Sequence, residues 1–163
     1  MPFFQAALSG YSDRAMRILA RQYGAPLTLT GVMLDKIALH HKAAKKLLFR
    51  PGDDEHPVGA QILGSEPKTM AAAAAVFEKM GYDLIDLNFA CPAPKVLRRG
   101  RGGALLTSPS VIMETYRRVR QAVNCPVIMK LRAGFDSSEA AQEDFWSISV
   151  SYTHLTLPTT PYV

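Results

Sequence analysis

Four side chains able to bind or react stand where short apolar runs break into loops: Gln61, Asn88, Cys91 and Lys130. The runs, residues 58–63, 84–87 and 127–132, have the length of buried strands. Period-two alternation puts Leu84, Asp86 and Asn88 on one face of the second run. It puts Ile128, Lys130 and Arg132 on one face of the third, and Gln61 with Leu63 in the first. Parallel strands covered on both faces should be almost wholly apolar. Burying an amide without a partner costs about 2–7 kcal/mol. Polar groups at the same end of three consecutive strands therefore suggest a shared polar ligand. A flat heteroaromatic with ring carbonyls and nitrogens would use an amide donor, an amide acceptor and a cation together. Plainer readings stand beside this one. Gln61 and Asn88 could bond loop backbone, and Lys130 could pair with Asp86 on the neighbouring strand.

Cys91 is the nucleophile or acid candidate in this cluster. A free thiol, with a pKa of about 8.5, is mostly protonated near pH 7 and can donate a proton. Next to cations such as Lys95 it could instead become a thiolate nucleophile. Spacing does not choose between these roles. Cys125, just before Pro126, reads as a small apolar filler. His40, His41, His56 and His154 form no metal-ligand pattern with Cys or carboxylates, so no metal site is expected.

The elements that must hold these residues alternate between strand and helix about five times. Residues 3–8 read as a first strand, and Ser12 as the cap of a helix that ends at Gly24. Residues 27–29 read as a second strand and 35–48 as a basic-faced helix. The Ala-rich run from Pro67 to Met80 is a strong helix candidate, as is the run from Ser108 or Pro109 to Val123. A last helix begins at Ser137 or Ser138. This rhythm predicts an α/β fold with a parallel sheet and helical crossovers. It does not separate an open sheet from a closed barrel. No G-x-G-x-x-G follows the first strand, which argues against a dinucleotide-binding domain of the Rossmann type.

A length of 163 residues suits one domain and is short for a closed eight-stranded barrel, which takes about 250. There is no long uncharged apolar run, so no membrane span is expected. Two unpatterned cysteines point to a reducing, cytoplasmic setting. The net charge of +5 leans toward polyanionic partners. The basic residues gather at Arg14, Arg17 and Arg21, at Lys42, Lys45 and Lys46, and at Arg98, Arg99 and Arg101. Residues 147–163, rich in Ser, Thr and Pro, read as a non-native or disordered tail behind a domain of residues 1–146.

Five segments in order carry a family resemblance: Ala7–Arg17, Val58–Ser65, Leu84–Lys95, Arg99–Leu106 and Val127–Arg132. Together they resemble the tRNA-dihydrouridine synthases over residues 3–140. The resemblance implies an FMN-binding (β/α)8 TIM barrel followed by a small helical tRNA-binding domain. It implies reduction of tRNA uridines to 5,6-dihydrouridine, with NADPH or NADH recharging the flavin. In that mechanism flavin N5 delivers hydride to uracil C6 and a cysteine, matching Cys91, protonates C5. Gln61, Asn88 and Lys130 match positions that contact the isoalloxazine ring or the uracil, and Ala7 and Leu8 match a flavin-contacting turn. Lys95, Arg98, Arg99 and Arg101 lie where RNA approaches. The chain departs from the family at Ala7-Leu8, where Pro-Met is usual, and at Gly31, where many members have Glu.

The family's later histidine, its flavin-phosphate loops and its helical RNA-binding domain have no counterpart in the sequence. The expectation is therefore an N-terminal partial barrel of about five strands that binds FMN poorly and lacks synthase activity. The parent enzyme is expected to be monomeric, whereas an open half-barrel exposes strand edges through which copies can associate. Two other functions fit the same residues. One is another FMN-barrel oxidoreductase acting on a free pyrimidine, and the other is an inactive fragment with residual RNA affinity. The loop from Cys91 to Lys95 with its following arginines favours RNA.

Overall fold

The structure is a computed structural model and describes residues 3–40 and 50–156. Its sheet has five parallel strands: β1 Thr28–Leu29, β2 Met33–Leu34, β3 Val58–Leu63, β4 Leu84–Asn88 and β5 Val127–Lys130. Their order is β1-β3-β4-β5, and β2 follows β1 along the same edge of β3. The helices are α1 Arg14–Gln22, α2 Asp35–Ala38, α3 Pro67–Lys79, α4 Pro94–Leu97, α5 Pro109–Ala122 and α6 Glu139–Thr156. A 3-10 segment, Gly102–Thr107, precedes α5. Strands joined in parallel by helical crossovers make this an α/β fold, the arrangement of part of a TIM barrel.

Local sequence explains the main crossovers. Pro67 and Pro109 occupy the first turns of α3 and α5, where a missing N–H costs nothing. Five consecutive alanines, Ala71 to Ala75, favour helix and let α3 lie close to the sheet. Gly81, at φ +102°, follows the end of α3, and its N–H donates to the Glu78 carbonyl.

The two faces of the sheet differ. One face carries Val58, Ala60, Ile62, Ile85, Leu87 and Val127 against α3, α5 and α6. Met70, Phe77, Ile112, Val119 and Ile148 complete this main core. Burial of a side chain the size of Phe77 contributes about 1.5–3 kcal/mol. The other face holds a small apolar cluster of Ala7, Leu27, Leu29 and Leu84, with Ile128 packed against it.

Three expectations change. Residues 3–8 make a single parallel bridge, Gln5 to Thr28, rather than a strand. Ser12 draws the chain away, because its hydroxyl accepts from the Leu8 N–H at 2.8 Å and donates to the Ala6 carbonyl. Ser12 being so engaged, Asp13 caps α1 and accepts from the Met16 N–H at 2.9 Å. The helix expected over residues 35–48 is α2 as far as Ala38, while residues 41–49 lie outside those described. The final helix runs on through Thr156, with Ile148 buried and the Tyr152 ring set edge-on to Tyr116 at 5.0 Å.

Candidate active site at the carboxyl ends of the strands

Register brings the polar residues together. Gln61 pairs with Asp86, Asp86 with Ile128, and Asn88 with Lys130. Residues in register on neighbouring parallel strands face the same side, so Gln61, Asp86, Asn88 and Lys130 share the face that carries Ala7 and Leu84. Gln61 and Asp86 are each 1% exposed and Asn88 7%, whereas Lys130 is exposed.

The buried groups satisfy one another in series. Gln61 Nε2 donates to Asp86 Oδ2 at 2.6 Å, and Gln61 Oε1 accepts from Asn88 Nδ2 at 2.8 Å. Asn88 Oδ1 then accepts from the backbone N–H groups of Ala90 and Cys91, both at 3.1 Å. The Gln61 N–H, facing the next strand, donates to Thr30 Oγ1 at 3.1 Å. Asn88 thus bonds loop backbone, whereas the Gln61 side chain bonds two side chains of β4, and the relay joins both to the thiol-bearing residue. Each amide retains one N–H beyond these bonds.

Asp86 and Lys130 are not in contact as an ion pair. The carboxylate takes Gln61 as its hydrogen-bond partner, and Lys130 acts on it through charge at longer range. Burial raises the Asp86 pKa, while the Gln61 hydrogen bond and the Lys130 charge pull it back down. Its Oδ1 has no hydrogen-bond partner among the described residues.

The half-buried Cys91 is gripped from two sides. Its N–H is held by Asn88, and its carbonyl accepts from the Gly103 N–H at 3.0 Å. Gly102, at φ +56°, lies so close that an added Cβ would come 2.9 Å from Cys91 Cβ. The glycine loop therefore works as a backbone clamp on Cys91.

Cys125 sits partly buried against the main core, and burial with the nearby Glu78 carboxylate pushes its thiol up to about 11. That agrees with its reading as filler. Ala7 is buried in the second-face cluster. Leu8 is exposed and forms the turn before α1, accepting from the Tyr11 and Ser12 N–H groups. Lys95, Arg98 and Arg99 are exposed on and just after α4. Arg101 is half-buried, and its Nε has no hydrogen-bond partner among the described residues.

The basic group on α1 is largely neutralised from within. Arg17 contacts Glu55 Oε1 through Nη2 at 2.5 Å and Nε at 2.8 Å, with Glu55 wholly buried. Arg14 meets Asp54 at 2.6 Å. Arg14, Arg17 and Glu55 line a cavity of about 430 Å³ that also includes Tyr11, Thr30 and Gly31 and none of the relay side chains.

Sequence reasoning counted Asp86 as an alternative partner for Lys130 and passed over its place in the relay. Strand alternation already put it on the Asn88 face, but its bond to Gln61 depends on inter-strand register. Among the described residues there is no group of three or more metal-ligating side chains, and no helix is long and apolar enough to cross a membrane.

The arrangement is that of a partial parallel α/β barrel with a polar cluster and a cysteine at the carboxyl ends of its strands. The dihydrouridine synthase family profile matches residues 4–149, and the chain belongs to that family. It is 34% identical over 133 residues to tRNA-dihydrouridine synthase B of Pasteurella multocida, covering 82% of this chain and 40% of the relative. It is 36% identical over 130 residues to the Escherichia coli K12 protein of that name, covering 80% and 40%. The Vibrio cholerae protein of that name is 38% identical over 133 residues, covering 81% and 41%. The chain thus spans about two fifths of the length of these curated relatives.

Proposed function

We propose that the protein to which this chain belongs reduces uridine in tRNA to 5,6-dihydrouridine, with Cys91 as the proton donor to C5 of the base. The observation that carries the reading is the relay from Asp86 through Gln61 and Asn88 to the Cys91 N–H, beside Lys130, in a chain of this family.

The donor set suits FMN. Gln61 and Asn88 each have one N–H to spare and Lys130 has an exposed ammonium, which together match ring carbonyls and nitrogens. These three residues would hold the isoalloxazine edge, with Ala7 and Leu8 beside it. When bound, the flavin supplies the hydride equivalent that saturates the C5–C6 double bond, with NADPH or NADH as the source of electrons.

The remaining work falls to the protein. Asn88 fixes the backbone at Cys91, so the thiol is carried on a restrained loop. The Gly102–Gly103 clamp restrains it from the opposite side. A proton donor so positioned typically contributes about 10²–10⁴-fold to rate. Lys95, Arg98 and Arg99 lie exposed within a few residues of the thiol, where cations can hold RNA phosphates without reading base sequence.

The test is dihydrouridine formation in tRNA, with free uracil and orotate as competing substrates. The flavin-loaded protein to which this chain belongs should modify tRNA and leave the free pyrimidines untouched, and Cys91→Ala in it should lose about 10²–10⁴-fold of turnover with flavin still bound. Reduction of the free pyrimidine in place of tRNA would transfer the assignment to another flavin-barrel oxidoreductase. Normal turnover by Cys91→Ala would remove Cys91 as the acid.

A further inference from the structure

The relay has a direction, and Asp86 stands at its far end. An ionised carboxylate only accepts hydrogen bonds, whereas the backbone N–H groups of Ala90 and Cys91 only donate. Between these ends the two amides have one orientation that satisfies every contact. Gln61 must turn Nε2 toward Asp86 and Oε1 toward Asn88, and Asn88 must turn Oδ1 toward the loop. Were Gln61 reversed, its carbonyl would face the carboxylate and its NH2 would face the NH2 of Asn88. In a site where Asp86 and Gln61 are almost wholly buried, both contacts would be strongly unfavourable.

We propose that Asp86 is a positioning residue for Cys91: as terminal acceptor of a one-way amide relay, it fixes the loop backbone that carries the thiol. The proposal builds on Cys91 as proton donor, although the relay can be read without turnover. Asp86 makes no hydrogen bond to the Cys91 side chain and acts through Gln61 and Asn88.

A merely structural carboxylate would be expected to stabilise the fold, and this one is poorly suited to that. It is 1% exposed, its Oδ1 has no partner among the described residues, and the nearby cation is not in contact with it. Burial disfavours its ionised form, so the folded pKa is raised. The stability linked to this shift is present at low pH and is lost as pH rises through the folded pKa. Retaining the charge above that point weakens the fold while holding the relay in one orientation.

The relay should respond to the charge as a unit. From β5, Lys130 is the charged group acting on Asp86, and β3 faces it with the neutral Gln61. In the 15N-labelled full chain, pH is varied from about 4 to about 8 while four groups are followed: the side-chain amides of Gln61 and Asn88, and the backbone N–H groups of Ala90 and Cys91. All four should move with one shared midpoint above the usual aspartate range. Asp86→Asn keeps an acceptor without the charge, so the relay should remain and the shared midpoint disappear. Asp86→Ala removes the acceptor, and hydrogen exchange at the Cys91 N–H should become about tenfold faster.

Three results would overturn the proposal. One is a Cys91 N–H that stays fixed while the Gln61 amide titrates. Another is a midpoint that persists in Asp86→Asn, and the third is unchanged Cys91 exchange in Asp86→Ala. Because flavin, RNA and turnover are not involved, failure here is distinguishable from failure of the Cys91 assignment, which the tRNA assay tests.

Discussion

At the scale of single residues, the two cysteines show how position decides chemistry. Cys91 follows β4, half-buried, on backbone held by Asn88 and Gly103. Cys125 precedes β5, lies against the core and faces the Glu78 carboxylate, which together push its thiol up to about 11. A thiol raised that far holds much less thiolate at mildly alkaline pH, and the thiolate is the reactive form. Alkylation near pH 8 should therefore modify Cys91 well before Cys125, with peptide mass spectrometry as the readout. Equal labelling of both would show that Cys125 is not shielded as described.

At the scale of elements, two connections hold the site and both invite substitution. The 3-10 segment presses Gly102 against Cys91, whereas a Cβ on Gly100, also at positive φ, would meet nothing within 4 Å. Gly100→Ala should cost only the left-handed backbone term, about 1–2 kcal/mol. Gly102→Ala should cost more in thermal unfolding and should also shift the Cys91 backbone resonances. Matching losses, with Cys91 undisturbed in both, would argue against the clamp.

The second connection crosses the sheet's helical layer. Glu78, near the end of α3, accepts from the Asn124 and Cys125 N–H groups at 2.7 and 2.8 Å and so ties down the turn that launches β5 and Lys130. The Cys125 backbone hydrogen bond is the main reason its pKa falls below 4.5. A depressed carboxylate pKa stabilises the fold above the unfolded value, and that stabilisation is lost as pH falls through the folded value. Glu78→Gln should thus lower stability by about 1 kcal/mol at neutral pH, a modest figure because solvent screens the site. The difference from wild type should vanish in acid, and a gap that persisted there would contradict the role given to the charge.

At the scale of the whole molecule, the two faces of the sheet divide the labour. One is sealed by α3, α5 and α6, while the other has a small apolar cluster and then the polar end. That division explains why β3 is buried along all six residues and yet carries Gln61. The basic surface is also narrower than composition suggests, because Arg14 and Arg17 are committed to Asp54 and Glu55. Lys95, Arg98 and Arg99 remain exposed a few residues beyond Cys91.

Much of this was legible in the sequence. The apolar runs, the Ala-rich helix and the prolines opening α3 and α5 announce a parallel α/β sheet through local preference and periodicity alone. Alternation also put Asp86 and Asn88 on one face and Lys130 at the matching end of the next strand, so the membership of the polar cluster followed from the chain itself. What joins them did not. Whether Asp86 meets Lys130 or Gln61 depends on the offset between strands, which sequence spacing leaves free and tertiary packing sets. The same holds for Gly102, whose local sequence marks a turn but not the neighbour it must admit. Composition and period determined which residues face the site; only the folded sheet, by fixing register between distant segments, decided which of them bond to one another and hold Cys91.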